Sequence, residues 1–123
     1  MNLKNLGTSL AVLSLSLTSA CVYSEPVGGD VTFLWRFDGA SCDRDRRVES
    51  VRIIIPGESF PNRGFFPCSS NGVDGIKLEG FYPGYYDYRL EAVDYDGLVS
   101  YTASGSFEVD GSITLSVDLY PTY

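Results

Sequence analysis

Histidine is absent from this 123-residue sequence, and methionine occurs only at its start. The chain therefore lacks the side chain that most often acts as general base or metal ligand near neutral pH. A hydrolase built on it would have only serine, lysine and carboxylates to work with, so neither a catalytic residue nor a cofactor is expected. Positive charge is scarce as well. Lys and Arg number 9 against 16 Asp and Glu, a formal charge of −7. A surface of that sign repels phosphate backbones, which argues against nucleic-acid binding. Long apolar runs are missing too. The stretch from Leu6 to Leu17 is broken by Ser9, Ser14 and Ser16 and followed by Thr18 and Ser19, whereas a membrane-spanning helix needs about 20 predominantly apolar residues.

That stretch reads instead as an export leader. Lys4 supplies the positive start, Leu6, Leu10, Val12, Leu13, Leu15 and Leu17 the apolar centre, and Thr18, Ser19 and Ala20 the small residues before a cut. Residues 1–20 are expected to be removed. Ser19, Ala20 and Cys21 resemble the end of a bacterial lipoprotein signal, in which two small residues precede a cysteine, although Thr18 stands where that signal carries a branched aliphatic residue. The resemblance implies that Cys21 is acylated and that the protein is held on a membrane through its N-terminal acyl chains. Val22 takes the place of the aspartate that retains such proteins at the inner membrane, which implies the outer membrane, with the domain periplasmic or surface exposed. Thr18 and Ala20 equally satisfy the small-x-small rule of the ordinary signal peptidase, so a secreted protein without lipid is the alternative.

Three cysteines are an odd number for an exported chain, and the leftover thiol needs a role. Acylating Cys21 leaves Cys42 and Cys68 to pair. A bridge between them would stabilise the fold by roughly 3 to 4 kcal/mol in the chain-entropy view. Two thiols 26 positions apart, with no histidine anywhere, do not make a zinc site, so no metal is expected. Removing the first 20 of the 123 residues leaves 103 and takes Lys4 away, for a formal charge of −8. That length suits one domain with one core. Residues 21–29 follow no period and contain Pro26, Gly28 and Gly29; they are expected to be the lipidated N-terminus and a tether, with the domain at 30–123.

From Asp30 on, side-chain character alternates with period two between clusters of turn residues, an all-β pattern. Val31, Phe33, Trp35 and Phe37 share one phase; Val51, Ile53 and Ile55 share another. Residues 58–75 are rich in turn formers, with Phe65 and Phe66 as a short strand. Ile76 and Leu78 open the next segment. Tyr86, Tyr88, Leu90 and Ala92 then alternate with Asp87, Arg89 and Glu91. Asp110-Gly111 between Val109 and Ile113 predicts a type I′ hairpin. About seven strands at this spacing predict a single antiparallel β-sandwich.

The segment from Leu78 to Gly97, with Pro83-Gly84-Tyr85-Tyr86 before a strand and Asp94-Tyr95-Asp96-Gly97 after it, resembles the Pro-Gly-x-Tyr strand of prealbumin-like and carboxypeptidase-regulatory-like domains. The mature chain as a whole is similar to small immunoglobulin-like bacterial lipoproteins. These resemblances imply a non-catalytic module for adhesion, carbohydrate contact or domain spacing, meeting an envelope protein or glycan through the loops 82–85 and 94–97. A secreted carbohydrate-binding or adhesive domain is the alternative.

Asp38, Asp43 and Asp45 alternate with Arg44, Arg46 and Arg47 and read as a self-compensating charged loop rather than a calcium site. Asp94 and Asp96, beside Gly97, read as caps on backbone N–H groups rather than an acid/base pair. Parity places Tyr86 and Tyr88 inward and leaves Tyr82, Tyr85 and Tyr95 exposed.

Overall fold

The computed structural model describes residues 25–122, so the leader, Cys21 and the first tether residues lie outside the described part. Seven strands follow in chain order: β1 (Gly29–Phe37), β2 (Val48–Ile54), β3 (Phe65–Pro67), β4 (Gly75–Phe81), β5 (Gly84–Asp94), β6 (Val99–Val109) and β7 (Ile113–Pro121). No α-helix occurs among the described residues, and a single 3₁₀ turn at Pro61–Gly64 leads into β3. The strands are ordered β3-β2-β5-β6-β7-β1-β4. All-β architecture with seven strands is thus what the alternating pattern predicted.

Strand direction departs from the expected antiparallel arrangement. β1 and β7 run parallel, in register from Val31 opposite Ile113 to Phe37 opposite Leu119. Both strands carry apolar side chains at every second position, and this register keeps the two inward sets side by side. Antiparallel neighbours flank them elsewhere. β6 and β7 share only two residue pairs, Tyr101 with Pro121 and Thr102 with Tyr120. The edge strands β3 and β4 face each other across a 380 Å³ groove lined by Phe60, Phe66, Ile76, Leu78 and Phe81, so the sheet curls almost into a barrel and stops at that seam.

Within it, Val31, Phe33, Trp35 and Phe37 are buried together with Val51, Ile53, Leu90, Val109 and Leu119. The Trp35 indole N–H donates to the Cys68 carbonyl at 2.9 Å, which satisfies a buried donor. Tyr86 and Tyr88 face inward as parity predicted. Tyr86 stacks on Phe107, and Tyr88 meets Phe33 edge-on at 5.5 Å.

The Asp110-Gly111 hairpin is not a type I′ turn. Gly111 has φ +90° but Asp110 is not left-handed. The turn is held instead by the incoming chain: Gly111 N–H donates to the Val27 carbonyl at 2.7 Å, and Val27 N–H donates to Asp110 Oδ1 at 3.1 Å. The residues read as the end of a loose tether are therefore stitched to the domain, and Gly29 already belongs to β1. A Cβ at Gly29 would sit 2.5 Å from the Gly111 carbonyl carbon and the Ser112 nitrogen, and one at Gly28 would strike the Phe81 carbonyl. Close backbone approach, not flexibility, is why glycines stand there.

Candidate functional site

Strand directions sort the loops into two ends. The tether end gathers residues 25–28, the β4–β5 turn at Tyr82 and Pro83, and the β6–β7 turn. The far end gathers the loop 38–47, the segment 68–74, the β5–β6 turn and the last residues of β7.

At the far end, a tight turn after β1 is closed by reciprocal hydrogen bonds between Phe37 and Ala40. The Ser41 carbonyl then accepts from Arg44 N–H at 3.1 Å and Asp45 N–H at 2.9 Å, and this coil swings Asp45 inward. Asp45 is only 8 % exposed. Its carboxylate takes Arg47 Nε at 3.1 Å on Oδ1 and Arg47 Nη2 at 3.2 Å on Oδ2, together with the Arg47 backbone N–H. The Tyr101 hydroxyl donates to Oδ2 in a short hydrogen bond and accepts from Arg47 Nη2 at 2.9 Å. The Arg47 hydrogen bonds hold the Asp45 carboxyl below its ordinary range, outweighing the opposing effect of burial. The same carboxylate pushes the Tyr101 phenol up.

The bridge Cys42–Cys68 lies beside this cluster, with Cα atoms 5.9 Å apart. Cys42 N–H donates to Asp74 Oδ2 at 2.9 Å, and the Asp74 carbonyl receives Trp35 N–H at 3.0 Å. The disulfide thus ties the loop 38–47 to the end of β3, next to the core tryptophan. Asp38, Asp43 and Asp45 do not converge. Asp38 and Asp43 are exposed while Asp45 points at Tyr101, and no three His, Cys, Asp or Glu among the described residues are placed to hold a metal ion. Asp94 caps the β5–β6 turn as expected, its Oδ1 accepting from Asp96 N–H and Leu98 N–H, each at 2.9 Å.

Tyr82, Tyr85 and Tyr95 are 82, 81 and 71 % exposed. They do not form one patch. Tyr82 and Tyr85 lie at the tether end, whereas Tyr95 lies past the other terminus of the 11-residue strand β5, about 33 Å away at the rise of an extended chain. The far end adds exposed Leu98, Val99 and Tyr120 to Tyr95, a grouping not foreseen because these residues come together only when β7 closes beside β6. Also unforeseen was the pairing of Asp45 with Tyr101, 56 positions away. Arg52 and Arg63, which both lie over the Phe65 ring, went unnoticed too. Their one sequence signal was the outward parity of Arg52 between Val51 and Ile53.

No protein-family model matches the chain, and no curated protein or solved structure matches it either.

Proposed function

We propose that this chain is a non-catalytic interaction or structural module of the cell envelope, anchored in the outer membrane through acyl chains on Cys21. The observation that carries the reading is the disulfide: Cys42 and Cys68 are joined, which makes Cys21 the odd cysteine of an exported chain. Position supports it as well. Val27 is fixed to the β6–β7 turn, and the six steps back to Cys21 span at most about 20 Å. An anchor at Cys21 would keep the tether end against the membrane and turn the far end, with Tyr95, Leu98 and Tyr120, toward an envelope protein or glycan. The non-catalytic reading is supported by the buried carboxylate of Asp45 being engaged by Arg47 and Tyr101.

The fold reading belongs to the same proposal. β3-β2-β5-β6 form one layer and β7-β1-β4 the other, an immunoglobulin-like or prealbumin-like sandwich. Its support is that β6 and β7 are paired only at Tyr101 and Thr102.

Metabolic labelling with a palmitate analogue is the test. The wild-type chain should carry label and fractionate with membranes, and Cys21→Ser should do neither. An unlabelled wild-type chain in the soluble fraction would overturn the anchor and return the protein to the secreted, carbohydrate-binding or adhesive class.

A further inference from the structure

Outside residues 1–20, eight cations face 16 carboxylates, and two of the eight form ion pairs among the described residues. Arg47 grips Asp45, and Arg89 Nε meets Glu91 Oε2 at 2.9 Å. Arg52 and Arg63 differ. Both guanidiniums lie over the ring of Phe65, with Cζ 5.3 and 5.7 Å from its centroid, and neither has an ion-pair partner among the described residues. Glu91 is opposite Arg52 on β5, and its Oε2 accepts from Arg89 Nε.

Two like charges over one aromatic ring repel each other, and the ring's quadrupole attracts each without neutralising either. The backbone accentuates the arrangement. Asn62 and Arg63 have φ of 53° and 54°, and Gly64 follows at 85°, three successive left-handed residues. The turn is pressed against β2, since a Cβ on Gly64 would be 2.5 Å from the Ile53 carbonyl. Asparagine tolerates such a φ and arginine does not favour it. Glycine at position 63 would relieve the strain and forfeit only the guanidinium. That guanidinium is exposed, and its sole contact of note is the ring it shares with Arg52, whose Nε donates to the Arg63 carbonyl at 3.3 Å.

We propose that Arg52 and Arg63, stacked on Phe65, form an oxyanion-binding platform on the outer face of β2 and β3, for a ligand presenting a carboxylate or a phosphate. A planar guanidinium fork matches either group with paired N–H donors. Against the acidic surface elsewhere, two adjacent guanidiniums give an anion a local point of attraction. The platform lies where the connection from β2 enters β3 and does not depend on the anchor at Cys21.

The test uses the full chain with Cys21→Ser, titrated with sodium acetate and with inorganic phosphate at constant ionic strength while the arginine Nε–H resonances are followed by NMR. The Arg52 and Arg63 signals should shift along a saturable curve while that of Arg36 does not, and comparison of the two salts tells which oxyanion is preferred. Arg63→Gly should weaken the binding by about tenfold or more, the equivalent of a lost charged hydrogen bond, and at the same time raise the melting temperature. Uniform, non-saturating shifts of all arginines would overturn the proposal. So would Arg63→Gly that binds as well as the parent, or that melts earlier, since the second result would make the stack a structural brace. Arg52→Gln should weaken binding in the same way if the two residues act together, and unchanged binding would remove Arg52 from the site.

Discussion

The two ends of the molecule are closed by different chemistry. At the tether end, backbone does the work: Val27 is paired with Asp110 and Gly111, and Gly28 and Gly29 let the chain pass within reach of Phe81 and Ser112. At the far end, side chains do it, through a disulfide, a buried carboxylate, a phenol and a guanidinium. Backbone closure holds no disulfide to reduce. Side-chain closure responds to both pH and redox conditions, so the two ends should fail under different insults.

The largest effect is expected from the disulfide. Cys42→Ser with Cys68→Ser should cost about 2 to 5 kcal/mol in denaturant unfolding. Hydrogen exchange should quicken first in residues 38–47, with the Gly111 amide holding its protection until global unfolding. Equal loss of protection at both ends would deny that they are independent.

Next comes Gly29→Val, which drives a side chain into the Gly111–Ser112 backbone. A destabilisation of about 1 to 3 kcal/mol follows from overpacking of this kind. Here the Gly111 amide should lose protection while the far end keeps its own. An unchanged unfolding midpoint would show that the tether can detach at no cost.

Tyr101→Phe removes two hydrogen bonds, the one donated to Asp45 and the one accepted from Arg47, and should cost about 1 to 2 kcal/mol, since Asp45 and Arg47 keep each other. Its pH dependence is the sharper readout. Asp45 has a lowered pKa, so its contribution is present above the ordinary carboxylate value of about 4 and is lost as pH falls through its folded value. Tyr101 has a raised pKa, so its contribution is complete below about 10 and is lost as pH rises through its folded value. Stability of the parent minus that of Tyr101→Phe should therefore be flat between those limits and shrink outside them. A difference that stays constant into strong acid would show that the Asp45–Tyr101 contact contributes nothing. Tyr82→Ser, at an exposed position of the tether end, should stay within about 0.5 kcal/mol of the parent.

Much of the strand pattern was legible because burial on one face imposes period two. Val31, Phe33, Trp35 and Phe37 could be assigned inward and Tyr85 outward from parity alone, and both assignments hold. Turn chemistry was legible where a side chain acts locally, as Asp94 does on Asp96 and Leu98. It misled at Asp110-Gly111, where the deciding partner, Val27, is 83 positions away. The glycines at 28 and 29 fall in the stretch expected to be a tether, because a sequence does not reveal that another backbone passes there. The arginine platform escaped for a similar reason. Arg63 reaches Phe65 only through a left-handed turn that no local preference of arginine would suggest.

By itself, the sequence determined strand content, the inward and outward faces, the acidic surface and which two cysteines remained to pair, all of which follow from the order of residue types along one chain. Tertiary structure alone decided the parallel pairing of β1 with β7, the stitching of Val27 to the β6–β7 turn, the Asp45–Arg47–Tyr101 cluster and the convergence of Arg52 and Arg63 on one ring. Most of these join residues far apart in the chain, and the platform depends on a left-handed turn set against β2. Local preference carries no information about which distant partner is met, so each was settled when the core closed and fixed the register.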